Sequence, residues 1–358
     1  MPDMMIMPIT PADALIRAFP HAAILAGNDG AVIGFNDTAS RLFPLLRQDY
    51  PLSFAIRDPS LLSAVTLTGQ DRIPRKLEVM ERLPVERVFA VHVSPVMPLS
   101  PVMQISPNDT GSILVVFDDL TAGRSLERMR VDFIANASHE LRTPLASLLG
   151  FVETLKGSAR DDAAARDRFL GIMEAQAQRM ARLIDDLLSL SHIELNAHIP
   201  PRDTVDIISV VRQIADGLRP LASERAVELQ VRAHAQEAMV LGDRDELLRV
   251  FENLIENAIK YGYGGGKIMI ETALSPPDMI EMTVRDFGPG IAVEHVPRLT
   301  ERFYRVNVAA SRDAGGTGLG LAIVKHVVVR HGGRLEIESV LGEGTTFKVF
   351  LKLNRLPS

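Results

Sequence analysis

Between positions 126 and 155, apolar side chains recur every three or four residues, at Leu126, Met129, Phe133, Ala137, Leu141, Leu145, Leu148, Val152 and Leu155. That spacing lines one face of an α-helix. A helix over residues 122–156, rising ~1.5 Å per residue, would be about 52 Å long. One small domain cannot cover it, so its stripe needs partner helices. A second stripe of Phe169, Met173, Met180, Leu183, Leu187 and Leu190 follows the turn-like segment at 157–162. The two read as an antiparallel hairpin whose apolar faces are best buried by a second copy, which gives a homodimeric four-helix bundle.

The flanks follow other rules. At 358 residues the chain is too long for one core, and roughly 150 residues per domain suggests two or three domains. Residues 9–118 alternate short β-type runs (23–25, 31–34, 88–93, 112–117) with turns such as Asn28-Asp29-Gly30, and the stretch 95–107 is proline-rich. After Pro200-Pro201, expected to break the second helix, the sequence suggests an α/β sandwich. Its markers are a helix around 247–260, a strand near 279–284, a helix at 319–331 and strands at 334–339 and 346–353. The expectation is a multidomain α+β chain divided as 9–120, 121–199 and 202–355.

Composition removes several functions. The charge sum of 39 − 45 = −6 disfavours a nucleic-acid partner, which normally selects a basic stripe. With 0 Cys there is no thiolate nucleophile or thiolate-ligated metal. The longest apolar stretches, 22–26 and 113–117, fall well short of the ~18 residues of a membrane span. The N-terminus carries Asp3 and no basic region, so it does not read as a secretory signal. A cytoplasmic protein is expected.

His139 sits within the first stripe, beside Glu140, with Thr143 one turn on and Pro144 after it. A helical proline removes its own N–H and crowds the carbonyl four residues back, here that of Glu140. A nucleophilic imidazole needs one bare nitrogen turned outward, and a carboxylate on the other N–H enforces that tautomer. Glu140 is the nearest candidate. Taken alone, a helical histidine is more often a solvated surface residue.

Phosphorylating a histidine would require a phosphoryl donor and so a phosphate-binding device. The segment ending Gly266-Lys267 lacks the first glycine and the Ser/Thr of a Walker A loop. A helix opening at Asp243, with Glu246 as capping-box partner, puts Asn253, Asn257 and Lys260 on one face. Amide oxygens suit Mg²⁺ that bridges phosphates, and the lysine suits phosphate charge. Asp286 lies at a strand end before Gly288 and Gly290, whose missing Cβ atoms would let a ligand near the backbone. A buried carboxylate there could accept the adenine amine, or be an ordinary strand-to-turn aspartate. Gly316, Thr317, Gly318, Leu319 and Gly320 lead into a helix whose free N–H groups favour phosphate. Their spacing is not that of a Rossmann fold.

These segments carry a family resemblance. "SHELRTPL" around His139 resembles the phosphoacceptor box of sensor histidine kinases. The Asn253/Asn257 helix, "DFGPG", "ERFYRV" and "GGTGLGLAIVKH" resemble, in order, the four boxes of their Bergerat-type ATP-binding domain. The opening segment "LIRAFPHAAILAGNDGAVIGFNDTASRLF" with Asn36, and the close "ILVVFDDLT", resemble a PAS sensor domain. The hairpin looks most like that of phosphate-regulon sensors of the PhoR type.

The resemblance implies ATP and Mg²⁺ as cofactors, with Asn257 as Mg²⁺ ligand and Asn253 and Lys260 near the phosphates. Tyr261 would lie against adenine, Asp286 on its amine and Gly316–Gly320 on the phosphates, while Phe303 and Arg305 flank a lid at 307–315. The implied activity is ATP-dependent phosphorylation of His139 and transfer to a response-regulator aspartate, PhoB-like if the narrower likeness holds. Glu140-x-x-Thr143 matches the pattern for regulator dephosphorylation. Two rival readings are a scaffold that binds ATP without transferring it, and a sensor kinase of another pathway. The PhoR likeness also implies membrane helices that this sequence does not contain, so a membrane-anchored longer form is a further expectation.

Overall fold

A computed structural model describes residues 16–81, 87–96, 111–157, 159–234, 237–307 and 316–354, and of residues 122, 125, 126, 129, 130 and 263 it describes the backbone alone. Most of the proline-rich stretch, nearly all of the expected lid and the side chains of Leu126 and Met129 thus lie outside the described residues. The chain divides into two compact units, 1–132 and 133–358.

The first unit is an antiparallel sheet with two short helices. Strands β1 (Ala22–Gly27) and β2 (Val32–Phe35) precede helices α1 (Asp37–Leu42) and α2 (Pro59–Asp71), followed by β3 (Arg75–Glu81), β4 (Arg87–Val96) and β5 (Ser112–Asp119). The sheet order is β2-β1-β5-β4-β3, with Ala22 opposite Phe117 and Gly27 opposite Ser112 in the central pair. Asn36, buried, caps α1 by accepting from the Ala39 N–H at 2.9 Å and also accepts from the Ala23 N–H at 3.1 Å. Its amide donates to the carbonyls of His21 (2.7 Å) and Phe19 (3.1 Å), so one side chain ties α1 to the start of β1. Strand β3 escapes the sequence reading because it is an edge strand rich in charge, with Val79 its one fully buried residue. Strand β4 also runs into the proline-rich stretch, through Pro95 to Val96, where it pairs with β5.

The second unit holds most of the long helices. Helix α3 (Thr121–Lys156) begins in the first unit and continues without a break through Pro144, and α4 (Ala163–Leu195) completes the hairpin. Asp162 caps α4 by accepting from the Ala165 N–H at 3.0 Å. Asn196, rather than the proline pair, ends it, with its backbone N–H and its Nδ2 both bonded to the His192 carbonyl at 3.2 and 3.1 Å.

Then follow β6 (Thr204–Asp206), α5 (Ile207–Glu224), β7 (Glu228–Ala233), β8 (Met239–Leu241), α6 (Arg244–Tyr261), β9 (Lys267–Ser275), β10 (Met279–Asp286), α7 (Gly320–Arg330), β11 (Arg334–Val340) and β12 (Gly344–Lys352). The main sheet runs β11-β12-β10-β9-β7, antiparallel except for β7 beside β9. In β10 every second residue is buried, the mark of a sheet with one face on a core. Phe251 and Leu254 of α6, Ile323 and Val327 of α7, and Ile208 and Val211 of α5 join Ile270, Met282 and Val349 of the strands in that core. The result is the two-layer α/β sandwich expected from the sequence. Leu183, Leu190 and Ile193 of α4 belong to the same cluster, so the end of the hairpin packs on the sandwich.

Candidate active site

His139 lies exposed on α3. One turn later the Thr143 hydroxyl donates to the His139 carbonyl at 3.3 Å. Glu140 points elsewhere than expected. Its carboxylate accepts from Arg179 of α4 at 3.1 Å and from both terminal nitrogens of Arg305 at 3.1 and 3.4 Å. The sequence suggested that Glu140 would orient the imidazole. In this conformation two guanidiniums hold it, since charge-assisted bonds outcompete a neutral donor.

Helix α6 is fixed at its base by a different cap from the one expected. Asp243 does accept from the N–H groups of Asp245 (3.0 Å) and Glu246 (3.1 Å). Glu246, however, does not return to the Asp243 N–H as a capping box requires. It pairs with Arg330 at the end of α7, and the Asp243 N–H donates to His331 Nε2 at 3.0 Å. Burial lowers the His331 pKa, and its Nδ1 sits 2.8 Å from the Val327 carbonyl, so the neutral Nδ1–H form satisfies both contacts. Arg330 also donates to the carbonyls of Asn196 and Ile199, both at 3.2 Å.

Further along α6, the Asn253 amide nitrogen donates to the Arg249 carbonyl at 2.8 Å, and its oxygen lies against Gly320, where any Cβ would collide with it. Lys260 pairs with Glu256 at 2.9 Å. Asn257, half-buried one turn beyond Asn253, takes part in none of these contacts, and Tyr261 ends the helix largely exposed.

Asp286 ends β10 with its side chain buried. Its Oδ1 accepts from the N–H groups of Gly288 (3.0 Å) and Thr345 (3.2 Å). Burial pushes its pKa above the ordinary carboxylate range, and these two N–H donors oppose that shift only in part. Gly288 and Gly290 are also closely approached by other backbone. A Cβ on Gly288 would come within 2.6 Å of Gly262 Cα, and Gly290, at φ +68°, faces the Val340 carbonyl. Both glycines serve close backbone packing around Asp286.

The Gly-rich loop before α7 is tied to the hairpin. Thr317 Oγ1 donates to Asp186 Oδ2 of α4 at 2.7 Å and accepts from the Leu319 N–H at 3.3 Å. Its carbonyl accepts from Arg305 at 2.7 Å. The Arg305 side chain is 5% exposed, with Nε buried and unpaired. Phe303, at φ +62°, donates its N–H to the Gly318 carbonyl at 2.8 Å and lays its ring 5.9 Å from that of Phe133 on α3. Arg302 covers the same Phe133 ring at 5.1 Å and pairs with Glu194. Asp186, Arg179 and Glu194 carry no sequence signal, because their partners lie far along the chain. Lid residues 308–315 fall outside the described residues.

Comparison with known proteins agrees with this geometry. Residues 129–196 match the His Kinase A (phospho-acceptor) domain, and residues 242–355 match the histidine kinase-, DNA gyrase B- and HSP90-like ATPase family. The chain belongs to the histidine kinases, joining the phosphoacceptor domain of that family to its ATPase domain.

Among curated relatives it is similar to the phosphate regulon sensor protein PhoR of Pseudomonas aeruginosa, 41% identical over 65% of this chain and 52% of that protein. The sensor histidine kinase WalK of Bacillus subtilis is 31% identical over 93% of this chain and 54% of its own length. The sensor-like histidine kinase SenX3 of Mycolicibacterium smegmatis is 37% identical over 68% of this chain and 62% of its own. The chain thus spans about half the length of the first two of these relatives.

Proposed function

We propose that the chain is an ATP-dependent protein-histidine kinase that phosphorylates His139 and passes the group to an aspartate of a response regulator. The observation that carries this reading is the meeting of the Gly-rich loop with the phosphoacceptor hairpin, through Thr317 on Asp186 and Arg305 on Glu140. The loop that would hold the phosphates and the helix that bears the nucleophile lie in one compact unit.

Several features fit ATP. Asp286 offers Oδ2 to the adenine amine while Oδ1 is held by backbone. Gly262 leaves the room beside it, since a Cβ there would strike the Asp286 side chain. Tyr261 flanks the same corner. Gly316–Gly320 opens α7 at an N-terminus without a side-chain cap, where the N–H groups of the first turn suit phosphate. Asn257 would hold Mg²⁺, with Asn253 and Lys260 beside the phosphates. When bound, Mg²⁺ would neutralise charge as the transfer proceeds.

His139 attacks the γ-phosphorus in line, the bond to the ADP oxygen breaks, and the imidazole loses its ring proton. The side chains contribute mainly position and charge, as in other phosphoryl transfers. Asn253 stands where related ATPases of this fold carry a water-activating Glu, which favours His139 over water as acceptor. Glu140 and Thr143, together with a regulator's own aspartate, would also support removal of the phosphoryl group.

The first unit is read as a PAS-like sensor domain, a reading supported by its sheet order and by the Asn36 bond set. The boundaries 9–120, 121–199 and 202–355 are part of the same proposal, as is a homodimer through the hairpin. The likeness to PhoR supports phosphate-limitation signalling and a PhoB-like regulator.

Incubation with γ-labelled ATP should give an acid-labile, base-stable phosphoprotein, with the label lost in His139→Gln. An unlabelled wild type rejects the kinase reading. Transfer of the label to one member of a panel of purified regulators then identifies the partner.

A further inference from the structure

Asp186 of α4 takes no part in the chemistry just described, yet it touches the loop that would bind phosphate. Thr317 is that loop's organiser. Its hydroxyl accepts the Leu319 N–H at the start of α7, and its O–H is committed to Asp186 Oδ2 at 2.7 Å. The Thr317 carbonyl is held by Arg305, which grips Glu140 of α3. The loop is therefore fastened to both helices of the hairpin, to α4 directly and to α3 through an arginine.

A carboxylate bonded to a phosphate-binding loop is an unfavourable neighbour for a triphosphate, because like charges repel and little water separates them. Asp186 is half-buried, and Arg249, Glu252 and Glu256 of α6, with Asp185 on its own helix, are the charged groups around it. Arg249 is attracted to it while also holding the Asp185 carbonyl at 3.5 Å. Burial is the leading cause that raises its pKa, and Glu256 and Asp185 add to it, while the Thr317 hydroxyl and Arg249 act against it.

We propose that Asp186 is a positioning residue that holds Thr317, and with it the Gly-rich loop, in a hairpin-docked form of low nucleotide affinity, so that nucleotide entry and release of the loop from α4 are coupled. This rests on the kinase reading. Coupling of this kind is reciprocal: whatever the docked contact subtracts from nucleotide affinity, bound nucleotide subtracts from the docked contact. The released loop can then travel with the ATPase domain toward His139 instead of staying fixed on α4.

The test uses the full chain and Mg·ADP, titrated by calorimetry. Asp186→Ala should bind about fivefold tighter than wild type or better, the lower end of common coupling strengths. Asp186→Asn, which keeps an acceptor for Thr317 but loses the charge, should fall between. The sign with pH follows from the raised pKa. As pH rises through it, Asp186 ionises, the latch tightens and phosphate is repelled, so the affinity advantage of Asp186→Asn over wild type should grow with pH.

Equal or weaker binding by a folded Asp186→Ala overturns the proposal. If the alanine variant does not fold, a pH-independent ratio between Asp186→Asn and wild type overturns it equally. Wild type that binds no Mg·ADP rejects the kinase reading itself, whereas normal wild-type binding with unchanged variants rejects the latch alone.

Discussion

Helix α6 hides Leu247, Val250, Phe251, Leu254, Ile255, Ala258 and Ile259 against the sandwich core. The 33-residue α4 buries Leu183, Leu190 and Ile193, all in its last half, while α3 leaves Ile134, Leu145 and Leu149 exposed and α4 exposes Leu170, Ile184 and Leu188. Both regions carry regular stripes. A stripe with period 3.6 fixes which face of a helix is apolar, but its covering comes from other parts of the fold. For α6 the cover is the sheet of the same chain. For the hairpin beyond the sandwich, the exposed apolar residues flanking the stripes form the surface a second copy would close.

The contrast is broken first by truncation. Phe251→Ala should cost about 3–5 kcal/mol of unfolding free energy, read by urea denaturation, because it empties a fully buried site. Leu149→Ala, at an exposed site, should change that transition by about 0.5 kcal/mol or less yet weaken self-association measured by sedimentation. Equal losses from both would mean that α3 is covered within its own chain.

Asp286→Asn separates binding from stability in the sandwich. Losing a charged acceptor of a nucleotide amine should weaken Mg·ADP binding about 10- to 100-fold. Stability should move the other way. Because burial raises the Asp286 pKa, the folded chain holds that proton more tightly than the unfolded chain. The stabilisation is present below the ordinary carboxylate range and is lost as pH climbs through the raised value. Denaturation curves across mildly acidic pH should show a shallower fall in Asp286→Asn than in wild type.

The smallest effects belong to the caps. Asp243→Ala and Asp162→Ala should each cost about 1 kcal/mol. The first should register in unfolding of the sandwich and the second mainly in melting of the hairpin, followed by hydrogen exchange.

What the sequence made legible follows the same division. Helix faces, the cap at Asp243 and the sheet-end position of Asp286 depend on neighbours a few residues away, and the pattern carried them. The capping partner of Asp243 was misread because Arg330, 84 residues on, claims Glu246. Glu140 was misread because Arg305 meets it across 165 residues. Strand β3 was missed because an edge strand rich in charge has little apolar signal. Gly288 and Gly290 were found, but their packing against Gly262 and Val340 depends on chain crossings that no local pattern records.

The hold of Arg330 on Asn196 and Ile199 has a consequence for distance. Eight residues separate the end of α4 at Leu195 from the start of β6 at Thr204. Fully stretched, such a tether reaches roughly 28 Å, and the arginine takes up part of its slack. On so short a leash the ATPase domain samples the phosphoacceptor helix at an effective concentration on the order of millimolar. In the transfer proposed above, the encounter between bound nucleotide and His139 would then be set by the orientation of the domain, and dilution of the protein would do little to slow it.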